Sequence, residues 1–323
     1  MTRPPSRAAA ATPFGAAVCQ VLEGVQRRLG TAATVLTRIE DDEWVVLQAA
    51  GDDGIVLRPG DIFDAGATLC TRMLAGHGPA LAPDTATVPA YATAPLLAEL
   101  GIGAYVGAPV RLSDGTLFGT VCALDRRPRP ELTAIHLAFL GAAADQLATR
   151  VEDERVRLAA ARAAIAHRLG GERDALTGLA ARAAWDAAIE LEAGEAGLGD
   201  RYAVLILDID GLRITNDRRG RDGGDAILRR VADALGRNAA PAAVVARLGG
   251  DEFGVLLHGR AAAGEAHRLH DEVRRLLRAG PAPVRITAGI ATARGGQNLP
   301  DAVQLANARL YALKAARRNG SGD

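Results

Sequence analysis

Apolar positions along the chain change spacing several times, and each change marks an element. Residues 14–30 carry Val18, Val21, Leu22, Val25 and Leu29 at helical intervals. Thr34–Ile39 and Trp44–Ala49 alternate as strands do, with the acidic residues 40–43 as their turn. Leu69, Met73 and Leu74 suggest a further helix, and the Pro- and Ala-rich stretch 79–95 reads as loop. A hairpin follows, with strands Ala104–Leu112 and Leu117–Leu124 and the turn Ser113-Asp114-Gly115. These elements predict an α/β domain with a mixed or antiparallel sheet, ending near Pro130.

Residues 131–171 then hold one helical pattern. Ala144, Val151, Leu158 and Ile165 recur every seven residues, with Leu140, Leu147 and Ala161 on a second seam that Glu154 interrupts. The heptads predict a two-stranded coiled coil. A long helix packed on its own domain would carry the same pattern. A second domain starts near Arg173. It has a buried strand at Tyr202–Leu207, a helix through Ile227, Leu228, Val231 and Leu235, and a hairpin over 242–257. A helix through Leu269, Val273 and Leu277, a strand Val284–Ala291 and a closing helix Leu305–Arg317 complete it. The expected division is a disordered start at 1–13, a first domain at 14–130, a linker helix at 131–172 and a second domain at 173–323.

Composition narrows the class. A length of 323 residues suits two domains, and 49% apolar content supplies real cores. Formal net charge is zero, split between a slightly acidic first half and a slightly basic second half, which excludes a nucleic-acid surface. Cys19, Cys70 and Cys122 show no metal-ligand spacing and fit a reducing cytosol. Without a run near ~20 apolar residues, no membrane span is expected. The expected location is the cytoplasm. The chain uses arginine throughout, yet it has a single lysine, Lys314.

The chemistry concentrates in the second domain. Arg247-Leu-Gly-Gly-Asp-Glu-Phe253 lies between two apolar runs, so Asp251 and Glu252 fall at a hairpin tip beside Gly249 and Gly250. Asp208-Ile209-Asp210 ends a strand. If the two strands are neighbours, Asp208 and Asp251 converge at one sheet edge, an arrangement suited to divalent cations and phosphate oxygens. Lys314 and Arg318 lie one turn apart on a helix.

Several motifs recur in order: Asp174-Ala-Leu-Thr-Gly-Leu179, Asp208-Ile-Asp-Gly-Leu-Arg-Ile-Thr-Asn216-Asp217, Gly224-Asp225, residues 247–253, Thr287-Ala-Gly289 and Leu310-Tyr311 with Lys314. With these, residues 174–319 resemble a GGDEF domain, the catalytic domain of bacterial diguanylate cyclases. The resemblance implies a cyclase- or palm-like mixed sheet and condensation of two GTP into cyclic di-GMP with release of pyrophosphate. It implies Asp208, the Ile209 carbonyl and Asp251 as ligands of two Mg²⁺ or Mn²⁺ ions. It assigns Glu252 to activating the 3′-hydroxyl or assisting the metal, and Arg213 to the catalytic set. Asn216 and Asp225 would read guanine, Gly249 and Gly250 would admit the nucleotide, and Lys314 and Arg318 would hold the triphosphate. A carboxylate at 225 accepts guanine's N1–H and amino group together, which adenine cannot offer. An N-cap of a helix at 226–236 is the structural alternative for Asp225. Because one domain holds one GTP, the reaction implies a homodimer, with residues 131–171 as the joining device.

Ala181, Arg219 and Arg221 depart from the family's usual residues. Ala240 and Ala243 stand where many members carry the product-inhibition Arg and Asp, so no product-inhibition site is expected. Residues 14–150 resemble a GAF domain through Tyr105-Val-Gly-Ala-Pro-Val-Arg111, Ser113-Asp-Gly115 and Gly119-Thr-Val-Cys-Ala-Leu-Asp125. That implies a sensor for an unknown small molecule or protein. Cys70 and Cys122 are read as buried small hydrophobes and His77 as a loop residue. Three functions compete: a GAF-regulated cyclase, a catalytically weak GGDEF domain that binds GTP or a protein partner, and a cyclic di-GMP receptor, which Ala240 and Ala243 argue against.

Overall fold

The computed structural model describes residues 12–51, 53–169, 173–194, 198–279, 282–295 and 298–319. Two compact units divide the chain. One extends to Leu158 and takes in Leu198 and Gly199. The other begins at Ala159 and holds the rest.

In the first unit, α1 (Pro13–Leu29) opens on Thr12, whose hydroxyl accepts the Gly15 N–H at 3.0 Å, and closes on the left-handed Gly30. Six strands follow in chain order: β1 (Ala33–Glu40), β2 (Glu43–Ala50), β3 (Ile62–Asp64), β4 (Leu81–Ala82), β5 (Ala104–Arg111) and β6 (Leu117–Asp125). They form one antiparallel sheet of order β3-β2-β1-β6-β5-β4. Strand alternation gives each face its own core. Leu36, Val45, Leu47, Val106, Val110 and Val121 pack with α1 and with α5 (Ala134–Leu169). Val35, Trp44, Val46, Tyr105, Cys122 and Leu124 pack with α2 (Leu69–Leu74), α3 (Pro89–Ala92) and α4 (Pro95–Leu100).

Three expectations change here. The stretch 79–95 is not all loop, because it contains β4, α3 and the start of α4. Prolines at helix starts account for α3 and α4, since a first-turn proline has no N–H to waste. The expected disordered start lies outside the described residues, save Thr12 and Pro13, which belong to the α1 terminus. The long helix forms as expected, but Leu140, Ala144, Leu147, Val151 and Leu158 are buried within the first domain's own core. Over residues 140–158 the heptad seam is therefore spent inside the first domain rather than held for a partner helix. A seven-residue apolar repeat cannot distinguish a partner helix from the helix's own sheet. The side chain of Ile165 lies outside the described residues.

The second unit has a four-stranded sheet of order β10-β7-β9-β8, made of β7 (Arg201–Ile209), β8 (Val244–Gly249), β9 (Glu252–His258) and β10 (Ile286–Arg294). These strands pair antiparallel, and the parallel component is the bridge Ala180–Ala246. Leu205, Leu207, Phe253, Val255 and Leu257 face α7 (Leu212–Asn238) and α8 (Ala262–Ala279). Val204, Ile206 and Leu256 face α6 (Arg182–Gly194) and α9 (Leu299–Asn319), where Trp185 and Leu310 complete the core. Helices α6 and the first turns of α7 are additions to the sequence reading. Helix α7 is kinked at Gly220, with φ 70° and ψ 178°, and continues past Asp225. Asp225 is thus inside the second segment, and the N-cap alternative falls.

Candidate active site

Strand β7 is central, so its C-terminal end receives residues from both neighbours. Register pairs Asp208 with Thr287 of β10 and with Glu252 of β9. The β8–β9 turn is closed by Gly249 and Gly250 at φ 143° and 52°, values that side-chain-bearing residues rarely adopt. This turn brings Asp251 beside the end of β7, where the Asp251 carbonyl accepts the Ile209 N–H at 3.2 Å.

Helix α9 closes the site from the side. Its backbone approaches β10 so closely that a Cβ on Gly289 would fall 1.9 Å from the Ala306 carbonyl oxygen. Only glycine permits that approach. One result is that Lys314 Nζ reaches Asp208 Oδ2 as an ion pair. Arg317 reaches Asp210 Oδ2 at 2.8 Å and Thr287 Oγ1 at 2.6 Å, and Thr287 donates to Asp210 Oδ1 at 2.7 Å. Asp208, Ile209, Asp210, Arg213, Asp251 and Lys314 share the walls of one cavity of about 800 Å³.

Asp208 is buried, and its pKa is pushed up to about 6. Desolvation is the main cause. Lys314 opposes it, while the negative charges of Asp251 and Glu252 add to it. The Asp208 Oδ1 atom is buried with no hydrogen-bond partner. An orphaned anionic oxygen beside a second carboxylate is a position that a cation would complete. Among the described residues no group of three or more His, Cys, Asp or Glu is placed to hold a metal. The fit rests instead on Asp208, Asp251 and the Ile209 carbonyl, a small oxygen set of the kind magnesium accepts together with substrate phosphates.

The remaining expected residues lie around this centre. Glu252 accepts a hydrogen bond from Tyr311 at 3.4 Å. Asn216 packs on Gly224, where any Cβ would meet Asn216 Oδ1 at 1.8 Å, and that Oδ1 is also buried without a partner. The kink at Gly220 thereby sets Asn216 next to the turn carrying Asp225, apart from the walls of the Asp208 cavity. Helix α9 includes position 318, but the Arg318 side chain lies outside the described residues. Sequence reasoning missed Asp210, Thr287 and Arg317 as one linked group. Lys314 and Arg317 are three residues apart on one helix face, and that spacing was the available signal.

The antiparallel sheet thus carries acidic residues at one end with a cationic helix above them, an arrangement chemically suited to cations and phosphate oxygens. Comparison with known proteins gives its family. Residues 171–320 match the family described as "Diguanylate cyclase, GGDEF domain", and residues 15–151 match the GAF domain family. The chain thus has a GAF domain followed by a GGDEF domain.

Diguanylate cyclase TpbB of Pseudomonas aeruginosa is 32% identical over 161 residues, covering 50% of this chain and 36% of TpbB. Diguanylate cyclase DgcP of Escherichia coli is 32% identical over 159 residues, covering 48% of this chain and 46% of DgcP. The chain thus spans less than half the length of these relatives. Among solved structures, the GGDEF domain of DgcB from Caulobacter crescentus in complex with c-di-GMP is 30% identical. That match covers 45% of this chain and 91% of that one, with a TM-score of 0.40. Among the described residues, no helix is long and apolar enough to cross a membrane.

Proposed function

We propose that this chain is a diguanylate cyclase that condenses two GTP into cyclic di-GMP under control of its GAF domain. The observation that carries the reading is the unpartnered Asp208 Oδ1 beside Asp251 and Lys314 in the shared cavity. Asp208, Asp251 and the Ile209 carbonyl would hold two Mg²⁺ or Mn²⁺ ions. When bound, these supply charge neutralisation on the triphosphate and activation of the attacking hydroxyl. Lys314, with Arg318, contributes positive charge for the phosphate tail. Asn216 and Asp225 receive the guanine edge, and the bare Gly249-Gly250 backbone admits the nucleotide. Glu252, held by Tyr311, is the carboxylate nearest the role of accepting the 3′-hydroxyl proton. Arg213, on the cavity wall, supports the phosphates.

Two 3′-oxygen–phosphorus bonds form and two α–β phosphoanhydride bonds break, releasing two pyrophosphates. One cavity serves one GTP, so the active form is a homodimer. Since the expected seam is buried, contact between copies is assigned to the outward stripe of α5. Ile135 and Val156 on it are 72% and 70% exposed. They lie three heptads apart. A GTP substrate and the cysteine usage support a cytoplasmic location. Incubating the purified chain with GTP and magnesium, and separating the products by chromatography, tests the reading. Cyclic di-GMP is expected, and Asp251→Ala abolishes it. GTP binding without turnover would instead identify a GTP-binding regulator.

A further inference from the structure

The cyclase chemistry leaves unused a pair of buried thiols in the first domain. Cys122 lies in mid-β6, paired with Val35 of β1 and Gly107 of β5, and Cys70 lies in the first turn of α2. They are 52 residues apart in sequence, yet their Sγ atoms are 2.8 Å apart. Both are buried and both are free thiols. That separation is inside the roughly 3.5–4.0 Å of ordinary nonbonded contact. It is about 0.8 Å beyond the ~2.0 Å of a disulfide. The surroundings are polar for a core. Cys122 Sγ lies 3.5 Å from Thr120 Oγ1 and 3.8 Å from the Tyr105 hydroxyl, and Trp44 Nε1 is buried without a partner. Two small apolar fillers would need none of these neighbours.

We propose that Cys70 and Cys122 are a site of reversible oxidation, forming an intradomain disulfide on exposure to hydrogen peroxide. In the first step a Cys70 sulfur takes hydroxyl from the peroxide, the O–O bond breaks and one water leaves. In the second, Cys122 sulfur attacks the sulfenic sulfur, the S–S bond forms, the S–O bond breaks and a second water leaves. Two thiols lose two electrons and two protons in total, and the peroxide is reduced to two waters. Burial raises the Cys70 thiol, but hydrogen bonding by Cys122 first, then Thr120 and Tyr105, outweighs it and leaves Cys70 below the ordinary thiol value. Cys122 is held above it, by burial first and by Cys70 second. Cys70, in the first turn of α2, is 3% exposed and Cys122 in mid-strand is 0% exposed, so Cys70 is the sulfur that peroxide meets first and Cys122 the resolving one. Hydrogen peroxide is a small neutral molecule of two heavy atoms, which suits a buried pair better than a bulky disulfide oxidant would. The bond would tie α2 to the centre of the sheet, on the face where α2, α3 and α4 pack.

Cys19 is the internal control. It sits on α1, its thiol lies 3.5 Å from Gln48 Oε1, and burial followed by the charge of Glu23 raises its pKa. The test treats the full chain with hydrogen peroxide, denatures it, alkylates the remaining thiols and maps peptides by mass spectrometry. The expected result is loss of two of the three alkylatable thiols and a Cys70–Cys122 cross-linked peptide, both reversed by dithiothreitol. Cys122→Ala should stop at oxidised Cys70 with no internal cross-link. Should that variant fail to fold, a second measurement uses the wild-type chain alone, whose oxidised first domain should melt at higher temperature than its reduced form. The proposal is overturned if both thiols remain alkylatable, if Cys70 proceeds to sulfinic acid without a cross-link, or if cross-links run through Cys19.

Discussion

Lys314 stands out at the level of single residues because a chain that otherwise uses arginine places its only lysine against Asp208. A compact ammonium can serve a buried carboxylate and a phosphate in a space too small for a planar guanidinium. Lys314→Ala should therefore weaken GTP binding by about 1.5–3 kcal/mol, which raises KM roughly tenfold or more. Steady-state kinetics checks this, and an unchanged KM would remove Lys314 from the phosphate site. His258 offers a pH test. Burial lowers its pKa below the usual 6.5, and Arg162 lowers it further, while Glu192, Asp200 and Glu265 oppose the shift. The native state then holds fewer protons than the unfolded state just below pH 6.5, so this contribution to stability is present above that pH and lost as pH falls. The thermal midpoint of the second domain should drop on acidification, and His258→Gln should flatten that drop.

At the scale of elements, α5 was legible as a helix but not in its partner. Its heptads fit a coiled coil, and the sheet beneath it satisfies the same repeat with Leu140, Leu147 and Val151. Replacing Val151 and Leu158 together with Asp should unfold the first domain rather than merely separate two copies. Two carboxylates in a core cost more than about 5 kcal/mol, close to a domain's whole stability. Replacing the exposed Ile135 and Val156 with Asp should instead leave the fold intact and weaken self-association. Circular dichroism with analytical ultracentrifugation separates the two outcomes, and a folded monomer from the first variant would restore the coiled-coil assignment.

The hairpins were legible because their turns carry Ser113-Asp114-Gly115 and Gly249-Gly250, which state the local geometry outright. Helix α6 was missed because Trp185 and Ala188 give too sparse an apolar face to mark a period. The Asp210–Thr287–Arg317 group was missed because it depends on β7 pairing with β10, which brings together Asp210 and Thr287, 77 positions apart.

At the scale of the whole molecule, the second domain has a blank where product feedback would act. Ala240 and Ala243 line an apolar cavity of about 690 Å³ with Leu179, Ala180 and Leu256. Its Arg162 and Glu192 are already engaged with each other through bonds of 2.6 and 2.8 Å, and Tyr202 donates to Glu192 at 2.9 Å. Arg173 also lines the cavity and donates to the Gly178 carbonyl, while Ala240 and Ala243 themselves offer no charge to a phosphate. Added cyclic di-GMP should leave the initial rate unchanged, and clear inhibition would reveal another product site. The most direct measurement of all is product formation itself. The purified full chain, given GTP and magnesium, should make cyclic di-GMP and pyrophosphate in a one-to-two ratio, and Asp251→Ala should make neither. Full activity in that variant, or wild-type protein that binds GTP and never turns it over, would contradict the assignment of Asp208 and Asp251 as the centre of a diguanylate cyclase.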